Sequence, residues 1–454
     1  MGTKHNGARM HVFSKMPSLV GKAFSTVGLL TLARVSQLSS ILVISILLGR
    51  SAGPATLGSF SIILAAGFVM QSVSVAGLAG VALHDLLKPG NDYKVELRVI
   101  FFARLIITPV VFAVGTLVMF LIPGTQLPSA TTVLLFFAGY AVGAFDVPEL
   151  THMAGKRYRI IAIRRMTVVL IVAPLAFWGA SSGRLELTLL LIATQSILWQ
   201  VVLIPGSGLS ISLVREIPVY WKASLARVWK VRVLWVSSII GAVASRIDLF
   251  AVSTLLGVAA TGHYYAVSRP VEATAVVASS LTTVLFHSII GTSTSPRLYA
   301  RESVRASKVT FVTSAGLVLG LSILGPFFIL LLYGSDFDAA AAALPIYAFI
   351  VFFIFQDYLL SNFVVVEKLY RTEFVWSVVT IVVNVSLNLL LIPELGLVGA
   401  ALAAVLTRPI SVAVAFLPHR QGRRALAMAY GGVAMGGHRA QHYANALVRS
   451  RRVS

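Results

Sequence analysis

The sequence has no cysteine in its 454 residues. Disulfide frameworks, thiolate zinc sites, iron–sulfur clusters and cysteine nucleophiles are therefore all excluded, while the compartment is left open. Acidic residues are scarce too, 16 Asp and Glu against 37 Lys and Arg, for a net charge of +21. Charged residues of both signs make up only 12% of the chain, where a soluble domain carries about a quarter. Reaction signatures are missing as well. There is no HExxH, no Walker Gly-Lys-Ser loop, no GxSxG and no GxGxxG ahead of a helix. Hydrolysis of ATP, peptide or ester has no visible machinery here, and no cofactor is implied. The nine histidines are scattered, and with only His263 and His287 inside apolar stretches no metal site is expected.

What fills the chain instead is apolar sequence, 57% of all residues with a mean hydropathy of +0.88. A helix needs about 20 mainly apolar residues to cross the hydrocarbon core. Twelve such stretches are found, near 26–48, 58–83, 99–122, 131–150, 166–181, 187–204, 233–256, 263–291, 309–332, 343–365, 374–392 and 396–416. The expected fold class is an all-α polytopic membrane protein with about 12 transmembrane helices in two pseudo-symmetric six-helix lobes around a central cavity. The fifth stretch is short. The segment 205–232 carries amphipathic pieces that either extend the sixth helix or lie at the interface, and the glycine-rich run 424–437 is apolar but too short to span.

The basic residues decide the orientation. Sorted by the face each would occupy, 30 of the 37 Lys and Arg fall in the N-terminal tail, the even-to-odd connections and the C-terminal tail. Two (Arg50 and Arg184) fall on the other side and five within the spans. Lysine and arginine mark the cytoplasmic face, so both termini are expected in the cytoplasm, and the +21 needs no nucleic-acid partner. Basic loops beside a bilayer attract anionic headgroups at roughly 1 kcal/mol per residue, which makes membrane lipids an expected partner. The expected layout is a cytoplasmic tail over 1–25, an N-lobe over 26–213, a basic linker over 214–232, a C-lobe over 233–416 and a mobile basic tail over 417–454.

The first hairpins of the two halves are faintly alike. ISILLGRSAGPATLGSF (44–60) aligns with VSTLLGVAATGHYY (252–265) on Leu-Leu-Gly, a short turn of small residues, then Gly and an aromatic. Duplicated helical halves with a site between them are a common transporter plan. The turn LLGRSAGPATLGSF also resembles the first outward loop of the polysaccharide and O-antigen flippases, in the superfamily that includes multidrug extrusion transporters and lipid II flippases. Three further segments resemble that family: SRIDLFAVSTLLGVAATGHYYAVSRP (245–270), YGSDFDAAAAALPIYA (333–348) and NVSLNLLLIPELGLVGAALAAVLTR (384–408).

Ionisable side chains at bilayer depth cost about 2.5 to 3.5 kcal/mol on insertion scales, so each needs a partner or a watery cavity. The basic ones are Arg34, Arg104, Arg246, Arg269 and Arg408; the acidic ones are Asp146, Glu149, Asp248, Glu272 and Asp357. Depth along the helices pairs Arg104 with Asp146 and Glu149, and sets Arg246 and Asp248 level with Arg269 and Glu272. Arg34 has no evident carboxylate in its own half. The cavity candidates for substrate are Arg34, Arg246, Arg269, Arg408 and the amide of Gln37, because guanidinium grips phosphate oxygens bidentately. Asp248 and Asp357 are candidates for ion coupling, and an Arg408–Asp357 pair is the alternative role for those two. Gln71, Gln356, Asn362, Asn384 and Asn388 could meet sugar hydroxyls or bridge helices. Gly139-x-x-x-Gly143 and Gly316-x-x-x-Gly320 are expected to serve internal packing.

Read together, the resemblance and the cationic spans imply a flippase, not an enzyme. Its cargo would be a polyprenyl-pyrophosphate-linked oligosaccharide, moved across the plasma (inner) membrane by alternating access. A polysaccharide polymerase and glycosyltransferases are conceivable partners, and a cation-coupled multidrug antiporter is the rival reading. In this scheme Arg34→Ala and Arg246→Ala lose translocation, while Arg104→Lys largely keeps it.

Overall fold

The computed structural model describes residues 7–75, 86, 92–121, 127–209, 217–230, 232–291 and 295–434, with no side chain before Val35. Among the described residues every regular element is helical. Seven helices are long and apolar enough to cross a membrane, or eight once the bent pair Ser335–Tyr347 and Ile350–Val366 is joined. Two of them are too long for one crossing. Val35–Val75 has 41 residues and Tyr370–Phe416 has 47, roughly 60 to 70 Å of helix for about 30 Å of hydrocarbon. Each is two limbs meeting at a glycine, Gly53 (φ 79°) in the first and Gly396 (φ 58°) in the second. Positive φ is open to glycine because it has no Cβ to clash.

These limbs are spans one, two, eleven and twelve. Spans three, five, eight and nine are Tyr93–Leu121, Tyr158–Ser181, Val258–Gly291 and Pro296–Tyr333. Span four is Ala130–Gly143 followed, after a break, by Val147–Ala154, with Pro148 in the first turn of the second piece. Span six is Leu185–Val201, span seven is Arg232–Ala244 plus Ile247–Leu256, and span ten is the bent pair. Each of the twelve expected segments is thus represented by helix among the described residues, the second as far as Val75, its remainder lying outside them. The fifth is not short: its 24 residues begin at Tyr158, so Arg159, Arg164 and Arg165 ride on the helix instead of a loop. His152 likewise falls on the last turn of span four, buried and bonded to the carbonyl of Leu203 at 2.9 Å.

The chain divides into two compact units, one of Met1–Leu48, Ala66–Leu121 and Leu127–Ile239, the other of Gly49–Ala65, Ile122–Gln126 and Ile240–Ser454. In the first, Gly139 and Gly143 bring span four against span six, where an added Cβ would strike Ala193 or Ser196. The segment expected to extend span six or lie at the interface contains a separate helix, Ile217–Lys230, docked on span three. The Ser224 hydroxyl donates to the Val99 carbonyl at 3.0 Å and Arg227 pairs with Glu96 at 2.6 Å.

In the second unit the first part of the tail expected to be mobile from residue 417 forms a helix, Arg420–Ala434, and the rest, 435–454, lies outside the described residues. Its positions 425, 428 and 429 follow the i, i+3, i+4 spacing of one apolar face. Ala425, Met428 and Ala429 are buried with Ile289, Phe363 and Phe416, and the Ser307 hydroxyl of span nine donates to the Ala429 carbonyl at 2.7 Å. Each half therefore ends in an amphipathic helix docked on its own third span. Gly316 and Gly320 correct another expectation: a Cβ at either meets nothing within 4 Å, so neither serves internal packing.

The repeat is clearer in the backbone than in the sequence. Gly53 (φ 79°, ψ 179°) and Gly257 (φ 88°, ψ −179°) have the same conformation, each five residues before a second glycine, Gly58 or Gly262. Gly257 thus matches Gly53, not Gly49 as the Leu-Leu-Gly alignment has it. On the other side of the spans, Lys156 (φ 55°) and Lys368 (φ 57°) are the two described residues other than glycine at positive φ. They open the matching turns Lys156-Arg157-Tyr158-Arg159 and Lys368-Leu369-Tyr370-Arg371.

Candidate functional site

The charged residues of the spans fall into closed pairs and an accessible group. In the first unit Arg104 is wholly buried and donates to both Asp146 oxygens, at 2.7 and 3.1 Å, and to the Ser74 carbonyl at 2.7 Å. The expected partnership with Asp146 holds, whereas Glu149 pairs with Arg165 of span five at 2.7 Å. Both pairs sit on helix breaks or first turns, where the carboxylate can reach a neighbouring span.

The second unit is built differently. Span seven breaks at Ser245 and Arg246, and Arg246 leaves helical geometry (φ −130°, ψ 0°). Its Nη1 lies 2.9 Å from Glu272 Oε1, while Arg269 Nη1 lies 3.0 Å from Glu272 Oε2. Arg269 and Glu272 share a face of span eight at i, i+3. The Arg269 guanidinium also lies 4.0 Å from the centre of the Tyr265 ring, a cation–π contact. One carboxylate therefore serves two guanidiniums, and its side chain is 40% exposed.

The other acids belong to a more buried neighbourhood. Asp248 Oδ2 accepts from the Tyr264 hydroxyl at 3.1 Å, with Asn384, Asn388 and Arg408 alongside. Asn388 donates to Asn384 Oδ1 at 2.8 Å, and Asn384 faces the Thr407 hydroxyl at 3.5 Å. Arg408 Nη1 lies 2.8 Å from Asp357 Oδ2, which realises the expected pair. Oδ1 of Asp357 and Asn388 and both side-chain heteroatoms of Gln356 are buried without a hydrogen-bond partner, while the Asp248 carboxylate has the amides of Asn384 and Asn388 beside it. Buried oxygens left without donors carry a desolvation cost, and such a set can relieve it by taking a proton or a small hard cation. No cluster of three or more His, Cys, Asp or Glu stands among the described residues.

Five of the expected site residues (Arg246, Arg269, Arg408, Asp248 and Asp357) thus gather in spans seven, eight, ten and twelve of one unit. Arg34 lies outside the residues whose side chains are described. Gln37, half-buried on span one, belongs to the other unit. Tyr264, Tyr347 and Thr407 were missed from sequence. The rings of Tyr264 and Tyr347 meet edge to face at 5.6 Å. The repeat held a signal: Tyr264 is two residues after Gly262, where the first half has Phe60 two residues after Gly58, so the second half carries a hydroxyl that the first lacks.

No protein-family model matches this chain, and no curated protein matches it either. Solved structures do. The lipid II flippase MurJ in an inward closed conformation superposes with a TM-score of 0.64 at 14% identity, over 88% of this chain and 92% of that one. An inward-facing multidrug resistance MATE family transporter of the MOP superfamily gives 0.54 at 14% identity, over 87% and 95%. A MATE transporter from Vibrio cholerae gives 0.51 at 14% identity, over 91% and 98%. This chain shares the fold of these three solved structures. At such identity the likeness concerns the fold, and the specific role of the chain rests on its own residues.

Proposed function

We propose that this chain is a membrane flippase that moves a polyprenyl-pyrophosphate-linked oligosaccharide repeat from the cytoplasmic to the outer leaflet, for assembly of a cell-surface polysaccharide such as O-antigen or exopolysaccharide. The fold it shares with flippases and transporters supports a carrier, and the resemblance of its hairpins to polysaccharide flippases supports this cargo. The observation that carries the reading is Glu272, 40% exposed at span depth and divided between Arg246 and Arg269. An accessible charged group at that depth implies a water-filled cavity. A pyrophosphate entering it competes with Glu272 for two planar donors suited to phosphate oxygens, and the displaced carboxylate turns to water.

Asp248 is the proposed coupling group. Proton or cation uptake there would alter its bond with Tyr264 and the balance of the adjacent Arg408–Asp357 pair, giving the unit two arrangements for a gradient to choose between. The same acids are what favour a cation-coupled multidrug antiporter as the second reading.

The two readings part in proteoliposomes loaded with a fluorescent polyprenyl-pyrophosphate oligosaccharide. The flippase reading predicts translocation that falls at least tenfold in Arg269→Gln and survives in Arg165→Gln. Absence of translocation by the wild type, together with proton-driven efflux of a cationic dye, would decide for the antiporter.

A further inference from the structure

A second, independent feature lies in the first unit, away from the arginine group. Spans three, four and six enclose a pocket of 430 Å³ whose walls include Leu105, Phe145 and Ile204. It opens sideways at bilayer depth, where Val142, Val201 and Ile204 are 42 to 44% exposed. The walls are apolar apart from Arg104, which is committed to Asp146, and two further residues. The Thr108 hydroxyl and Gln200 Oε1 are buried and without hydrogen-bond partners, although Gln200 Nε2 donates to the Gly143 carbonyl at 2.9 Å.

Three observations bear on what it is built to hold. A methylene is about the size of a water molecule, with its share of ~30 Å³ in the liquid, so the pocket holds on the order of fourteen carbons, the length of one acyl chain. Between the lining residues Ile204 and Leu209, the chain leaving span six is held by two arginines. Arg164 donates to the carbonyls of Val202 and Pro205, at 3.0 and 2.8 Å, and Arg157 to that of Gly206 at 3.2 Å. Bonds to neutral carbonyls leave both guanidinium charges uncompensated by those partners, whereas the nearby acids Asp146 and Glu149 are bound to Arg104 and Arg165. Finally, Gln200 Oε1, one residue before the end of span six, is a buried acceptor without a donor.

We propose that this pocket binds one anionic phospholipid of the phosphatidylglycerol type, drawn from the leaflet on the basic side of the membrane. One acyl chain fills the pocket, the phosphate meets Arg157 and Arg164, and a headgroup hydroxyl donates to Gln200. The bound lipid fixes the lateral packing of spans three, four and six. The inference does not depend on what the protein transports.

Native mass spectrometry of the purified full-length protein tests it, with phosphatidylglycerol and phosphatidylcholine of matched chains as probes. The wild type is expected to retain one phosphatidylglycerol in about tenfold preference. Ala141→Phe, in the wall, and Val201→Trp, at the exposed mouth, should each lose it tenfold or more. Arg157→Gln should keep the lipid while lowering the preference about fivefold, the effect of one basic group near a headgroup. If Ala141→Phe fails to fold, Val201→Trp, which alters only the mouth, decides. Equal binding of the two lipids by the wild type, or unchanged phosphatidylglycerol in Val201→Trp, overturns the proposal. So does displacement of the phospholipid by a polyprenyl phosphate at equal concentration.

Discussion

Gly58 and Gly262 occupy equivalent positions in the two halves, and each lies against the first turn of the helix that carries the other. A Cβ on Gly58 would run into the Val258 carbonyl, and one on Gly262 into the Pro54 carbonyl. Next to this contact Phe60 and Tyr265 meet edge to face at 6.2 Å. Gly58→Ala and Gly262→Ala each force backbone apart and should cost about 1 to 3 kcal/mol, the usual range for overpacking. Gly316→Ala and Gly320→Ala, in open surroundings, should be neutral or slightly stabilising, because alanine is the better helix former. Thermal unfolding in detergent checks the contrast, and equal melting temperatures for all four variants would remove the close approach as a structural constraint.

Arg104 is placed so that the change to lysine is expected to be costly, against what its sequence position alone suggests. Its guanidinium makes a forked pair with Asp146 and a third bond to Ser74 while fully buried. A lysine cannot reproduce a planar fork. Arg104→Lys should therefore lower stability, and Arg104→Ala should lower it further, by about 3 to 5 kcal/mol, since it strands a buried carboxylate. The double variant Arg104→Leu/Asp146→Leu should recover most of the loss. Expression and melting temperature report the series, and a wild-type melting temperature for Arg104→Lys would contradict it.

The helix Arg420–Ala434 is part of the folded unit and not a trailing tail. Met428→Asp places a charge among Phe363, Phe416 and Ile289 and should lower the yield of folded protein severalfold. Gln421→Ala lies on the exposed side of the same helix and should change little. Fluorescence-detected size exclusion separates the two outcomes. A monodisperse peak of wild-type height for Met428→Asp would show that the helix is dispensable.

Asp248 should control driving force more than recognition. Asp248→Asn keeps the bond to Tyr264 and removes the charge, so gradient-driven transport should fall at least tenfold while substrate binding stays within about twofold. Proteoliposomes with imposed proton or sodium gradients, paired with equilibrium binding, make the comparison. Loss of binding in parallel with transport would assign Asp248 to the substrate instead.

Twelve spans were legible because apolar length is written residue by residue. The two docked helices were harder to read. Ile217–Lys230 and Arg420–Ala434 are too polar to span, and their burial depends on Ser224 meeting Val99 and Ser307 meeting Ala429, contacts across more than a hundred residues of chain. The charge pairs were legible in depth but not in azimuth. Arg104 with Asp146 and Arg408 with Asp357 follow from matched heights, while the choice of Arg165 for Glu149, and of Glu272 as partner to both Arg246 and Arg269, depends on how helices break and rotate. The repeat was misregistered by four residues because Leu-Leu-Gly recurs by composition, whereas the conserved feature is a glycine at positive φ five residues ahead of a close approach.

The most direct test of the central claim is mass spectrometry of the lipid extract from cells lacking this protein. The account predicts accumulation of a polyprenyl-pyrophosphate oligosaccharide, relieved by the wild-type chain and not by Arg246→Ala or Arg269→Ala at matched expression. An unchanged lipid extract, or full relief by both alanine variants, would contradict it.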